Sequence, residues 1–355
     1  MRKVVKSPNI MKNSIFFLFL FLLGTACRKE EPVLSVEQLM FDQGQGVFVV
    51  HEGNFQAGNA SIGFVDTRSN KYLSDIYADI NQLPLGDVLQ SMQVIGDKGY
   101  LIVNGSDKIE VVDIHTFQIL HTITSVPSPR YLLPAGGNKA YVSSLFGNHI
   151  TVIDLEKNQV TGSIPLSGWT EQMAIVNGKV WVTNWSKSYL YQLDPALDQV
   201  VDSIAVGPTG TALQVDHQNR LWLLCSGNAF ENVPAALYQL DVDAGKQVKK
   251  LSFPAEDNVT GRMAINPGKD TLFYVREEKI YFQPVADTQT QDRPYLADSK
   301  AGAIYGLAID PRTGEIWLSD AKGFTQAGEV HRFSRSGLFI KSYTVDLIPS
   351  DFFFY

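Results

Sequence analysis

The chain has 355 residues, 45% of them hydrophobic, with 28 glycines and a formal charge of −7. That hydrophobic content excludes general disorder, and the acidic balance argues against nonspecific nucleic-acid binding, which needs a basic surface. The many Gly, Val, Ile, Tyr and Trp residues lean toward β structure with frequent turns.

In chain order, the first segment reads as an export signal. Arg2, Lys3, Lys6 and Lys12 precede an apolar run over residues 15–23, and small residues lead into Cys27 in LLGTAC. The apolar run is too short to span a bilayer. Met11 could equally be the start, leaving a shorter signal of the same kind. The stretch resembles a lipobox, with Gly24 where an aliphatic residue is usual, so residues 1–26 are expected to be a lipoprotein signal peptide and Cys27 the lipidated residue. Removal of residues 1–26 takes four positive charges and no negative ones, leaving a formal charge of −11. The RKEE that follows resembles the surface-export signal of some gut-type Gram-negative bacteria. The expected location is therefore the outer face of the outer membrane, with residues 27–45 as a lipidated tether. The second of the two cysteines, Cys225, lies in LWLLCSG and reads as a small buried hydrophobe.

From residue 46 the chain repeats. QSMQVIGDKGYLIVNGSDKIEVVDIHTFQILHTI is followed by SPRYLLPAGGNKAYVSSLFGNHITVIDLEKNQVTGSI and EQMAIVNGKVWVTNWSKSYLYQLDPALDQVVDSI, and three further units open at residues 211, 262 and 306. Four short alternating strands every ~40–45 residues is the spacing of a propeller blade. Met92, Tyr131, Met173, Ala212, Met263 and Leu307 align as anchors of six first strands. The unit from residue 46 lacks a first strand, and PSDFFFY at the C-terminus supplies one with nothing after it. The two halves make a seventh blade. The fold predicted for residues 46–355 is all-β, a seven-bladed β-propeller whose C-terminal strand pairs into the first blade beside Val47–Val50. Its aromatics enter the core, and closure removes an open sheet edge.

Enzyme signatures are absent: there is no G-x-S-x-G elbow, H-E-x-x-H pair, P-loop or CxxC. The six histidines are scattered without metal-ligand spacing, so neither a catalytic residue nor a metal is assigned. Asp113, Asp154, Asp194 and Asp241 end third strands and read as turn caps. The chain is expected to be a binder and not an enzyme.

Propeller ligands commonly lie over one end of the central channel, which is built from first-strand starts and the loops after second strands. Those places hold Phe55, Phe146, Trp169, Trp185, Phe230, Tyr305 and Phe324. They also hold Asn54, Asn104, Arg130, Gln172, Asn184, Arg262 and Asp320. Apolar walls with a few polar groups suit a small-molecule site.

The stretches HEGNF…GNASIGFVD, LPLGDVLQSM, SPRYLLP, WTEQMAIVNGKVWVTNWS and RLWLLCSG together resemble the BtuG family, surface lipoproteins of the broader YncE-like propeller group. The resemblance covers nearly all of residues 46–355. It implies high-affinity capture of cobalamin as a bound ligand, with no catalytic cofactor. It also implies a BtuB-type TonB-dependent outer-membrane transporter as the partner that receives the vitamin. Under this reading the cobalamin site comprises Asn54, Phe55, Asn104, Arg130, Phe146, Trp169, Gln172, Asn184, Trp185, Arg262, Tyr305 and Asp320. Capture of another nutrient, a glycan or a peptide, and a protein-interaction role remain open alternatives.

Overall fold

The computed structural model describes residues 40–355. The signal segment, Cys27 and most of the expected tether lie outside the described residues. Seven small antiparallel sheets form the fold. Blade 2 shows the pattern: Leu89–Ile95, Lys98–Val103, Lys108–Asp113 and Ile119–Thr124 run up and down from the innermost strand to the edge. Tight turns separate the strands, and the repeated aspartates make several of them. The Asp113 carboxylate accepts from the backbone N–H of His115 and Thr116, and Asp154 accepts from Glu156 and Lys157.

Blade 1 closes the ring. Its order is Pro349–Phe354, Gly46–His51, Ser61–Asp66, Lys71–Leu73. The C-terminal strand pairs Phe354 with Val47, Phe352 with Val49 and Asp351 with Val50. The alternation of the strand splits the tail aromatics between two interfaces. Phe352 is buried and Phe354 half-buried against Trp317, while Tyr355 is buried and Phe353 half-buried on the opposite side. The four aromatics are thus not equally buried.

The hydrophobic core is not one centre but seven clusters, each spanning the face of one blade and the face of the next. One aromatic anchors every second strand: Phe48, Tyr100, Tyr141, Trp181, Trp222, Phe273 and Trp317, none more than 7% exposed. A flat ring at a strand's centre fills the space between twisted sheets and supplies 150–250 Å² of apolar area.

Two features depart from the repeat. Blade 6 has three strands, Val259–Ile265, Thr271–Arg276 and Lys279–Pro284, where four were expected. The polar run that follows, DTQTQDRP, ends in a proline that cannot donate to a ladder, and only a single bridge from Leu296 to Ile280 covers the edge. The second departure is upstream. Phe41, in the stretch read as tether, is 1% exposed and meets Phe64 edge-on at 4.9 Å. The packed core therefore begins before residue 46. Cys225 is buried as expected, its thiol donating to the Gly207 carbonyl and its pKa pushed up to about 12 by burial.

Candidate functional site

The innermost strands begin irregularly, and this irregularity builds the site. In blades 2 to 7 the pairing between first and second strands slips at the strand start: between Leu89 and Ser91, Pro129 and Leu132, Thr170 and Met173, Gly210 and Ala212, Val259 and Met263, and Ile304 and Gly306. A bulge places extra residues opposite one partner and re-aims their side chains. The displaced residues include Gln90, Arg130, Glu171, Gln172, Thr211, Arg262 and Tyr305. All of them line one cavity of about 730 Å³, together with Glu52 from blade 1.

Loops after second strands add the rim. Phe55 is 72% exposed, Phe146 73% and Trp185 41%, so three large aromatics stand in solvent around the same opening. Trp169 and Trp185 pack with ring centroids 4.7 Å apart at 34°, and the Trp185 backbone N–H donates to the Trp169 carbonyl at 2.7 Å. Scattered single apolar residues on a surface need no explanation, but a cluster around a cavity does.

The wall beneath the tryptophans is a fixed polar network. Glu171 faces Arg130, with Nη2 to Oε1 at 2.8 Å and Nε to Oε1 at 3.1 Å. The Trp169 indole N–H also donates to Glu171, and Arg130 also donates to Gln90. The Arg130 guanidinium lies over the Trp169 ring at 5.6 Å. Burial pushes the Glu171 carboxyl up, and the facing guanidinium opposes that rise. Across the mouth, the Tyr305 hydroxyl donates to Glu52 at 2.9 Å and Phe324 meets the Tyr305 ring edge-on at 5.2 Å. Burial, then Glu52, raises the Tyr305 hydroxyl above its usual range, and burial pushes Tyr131 up to about 12.

Of the residues singled out from sequence, Phe55, Asn104, Arg130, Phe146, Trp169, Gln172, Trp185, Arg262 and Tyr305 line the cavity. Asn104 is nonetheless 8% exposed, with its amide donating to the Pro129 carbonyl at 2.9 Å. Three others stand outside the lining. Asn54 donates to the Phe324 carbonyl. Asn184 bonds the Ser167 carbonyl and the Ser186 hydroxyl, and Asp320 accepts from the backbone of Gly302 and Lys322. All three hold loops in shape. Phe230 and Phe324 also lie outside the lining, Phe230 fully exposed and Phe324 against the Tyr305 ring. Glu52, Gln90 and Glu171 line the cavity without having been singled out. Glu171 sits beside Gln172 in WTEQM, and an acid at the start of an apolar strand was the signal available for it. Among the described residues, no group of three or more His, Cys, Asp or Glu side chains is placed to hold a metal ion.

The fold and its mouth define a seven-bladed β-propeller with a candidate ligand site over the channel end. The chain belongs to the family described as a domain of unknown function, DUF5074, whose profile matches residues 45–355. No curated protein matches it. Similar solved structures include a quinonprotein alcohol dehydrogenase-like protein from Bacteroides thetaiotaomicron, at 16% identity and TM-score 0.67, covering 87% of this chain and 78% of that one. Another is a putative 6-phosphogluconolactonase from Bacteroides fragilis, at 12% identity and TM-score 0.65, covering 88% and 98%. A third, dihydro-heme d1 dehydrogenase NirN in complex with DHE, has 12% identity and TM-score 0.59, covering 88% and 76%. These likenesses show the fold alone.

Proposed function

We propose that the propeller mouth captures cobalamin at the cell surface and passes it to a BtuB-type TonB-dependent outer-membrane transporter, with Cys27 carrying the lipid anchor. The observation that carries the reading is convergence: blades 1 to 7 each direct at least one side chain into a single cavity of about 730 Å³. Cobalamin has a broad corrin face and a fringe of amides. The tryptophan pair offers an apolar surface, and Gln90, Gln172 and Glu52 offer polar partners around it. Bulged strand starts in a closed ring are rigid, so little ordering entropy is lost on binding. The same geometry performs no bond-making step in this reading; the protein holds and releases its ligand.

Calorimetric titration with cyanocobalamin tests it. The native chain binds one equivalent, and the Trp169→Ala, Trp185→Ala variant stays folded but binds at least ~30-fold more weakly, since buried aromatic anchors often cost 2 kcal/mol or more on truncation. Intact cells carrying the Cys27→Ala chain capture no vitamin at their surface. Full affinity in the double variant moves the site elsewhere on the propeller. No binding by the native chain rejects cobalamin, and a glycan stacked on Trp185 becomes the reading to test.

A further inference from the structure

Two arginines face the mouth, and they differ in what holds them. Arg130 is engaged at all three nitrogens: Glu171 takes its Nε and Nη2, Gln90 takes its Nη1, and its guanidinium lies over the Trp169 ring. Arg262 comes from the corresponding bulge of blade 6. It is half-buried over the Tyr305 ring, with its guanidinium 5.1 Å from the ring centre. Among the described residues it makes no hydrogen bond and no ion pair.

A guanidinium presents five N–H donors in a planar fork that matches a phosphate or carboxylate. Leaving those donors unused in a partly dry site is unfavourable. The nearby acids do not satisfy them. Glu52 is engaged by the Tyr305 hydroxyl, and Asp351 accepts from the Phe352 backbone. Burial opposes the charge on Arg262, but the nearby Glu52 and Asp351 favour it, and a guanidinium stays protonated in proteins. The contact with the Tyr305 ring holds the guanidinium at the mouth before any ligand arrives, which lowers the ordering cost of binding.

We propose that Arg262 is an oxyanion subsite, receiving one phosphodiester or carboxylate group of the ligand while Trp169 and Trp185 take its apolar face. This rests on the mouth being the ligand site. In cobalamin the matching group is the single phosphodiester that joins the nucleotide loop to the corrin, and cobinamide lacks it.

The test compares cyanocobalamin with dicyanocobinamide on native, Arg262→Gln and Arg262→Lys chains, each checked by its thermal midpoint. Native protein favours cyanocobalamin over dicyanocobinamide by about 10- to 100-fold, the worth of a hydrogen bond to a charged group. Arg262→Gln abolishes that preference, weakening cyanocobalamin far more than dicyanocobinamide. Arg262→Lys, which keeps the charge but not the fork, retains part of it and serves if the glutamine variant does not fold. Equal native affinities, or equal weakening of both corrinoids by Arg262→Gln, overturn the subsite while the cobalamin reading stands. If native protein binds neither corrinoid, that reading falls and inorganic phosphate decides the subsite. A saturable change in tryptophan fluorescence that Arg262→Gln removes upholds it, and no Arg262-dependent change overturns it.

Discussion

His51 shows how a single residue couples the ring to pH. It is fully buried at the junction of blades 1 and 7, with Nδ1 4.0 Å from the Asp346 carboxylate and Nε2 3.4 Å from the Tyr72 hydroxyl. Asp346 is also held by the hydroxyls of Ser61, Ser74 and Tyr72. Burial lowers the His51 pKa from 6.5 to about 4, with Asp346 opposing the fall. The folded state therefore keeps this ring neutral where the unfolded chain binds a proton. The stability this ring contributes is full above about pH 6.5 and is lost progressively as pH falls toward 4. The Asp346 carboxyl, whose pKa is lowered even though burial opposes this, loses stability in the same direction on acidification. Thermal midpoints measured from pH 7 to pH 4.5 should fall steeply for the native chain and less steeply for His51→Gln. Parallel slopes would remove His51 as the cause.

At the scale of elements, the C-terminal strand carries more than its length suggests. It supplies the innermost strand of blade 1 and packs on both sides of it, Phe352 toward Trp317 and Tyr355 toward Phe48. Deleting residues 349–355 strips two interblade clusters at once. Each large apolar side chain buried is worth roughly 1.5–3 kcal/mol, against a typical domain stability of ~5–15 kcal/mol. The truncated chain should show a large fall in thermal midpoint or fail to fold, and an unchanged midpoint would refute closure of the ring by this strand. The tail was legible in the sequence because DFFFY has no reason to be exposed and one blade lacked a first strand. The bulges were not legible. A bulge adds a residue without changing the composition or the apolar anchor that follows it, so Met173 and Met263 aligned correctly while the aim of Glu171 and Gln90 stayed hidden. The missing fourth strand of blade 6 was hidden too, because the four-strand period of the other units was carried over to the unit that opens at residue 262.

At the scale of the molecule, seven blades and seven interblade clusters explain why the period was the strongest signal in the chain. Every second strand repeats the same aromatic position because every interface poses the same packing problem. The site was less legible than the fold for the same reason. Polar residues at first-strand starts and second-strand ends serve both roles: Asn184 and Asp320 tie loops, whereas Arg262 stays open, and only the hydrogen-bond partners separate them. The central claim is that bulged starts of the inner strands assemble one ligand-binding mouth. A crystal structure of the mature chain with cyanocobalamin tests it most directly. The corrin should lie across the mouth against Trp169 and Trp185, with its phosphodiester at Arg262. A corrin bound at the opposite channel end or on the blade edges, with the mouth empty, would contradict it.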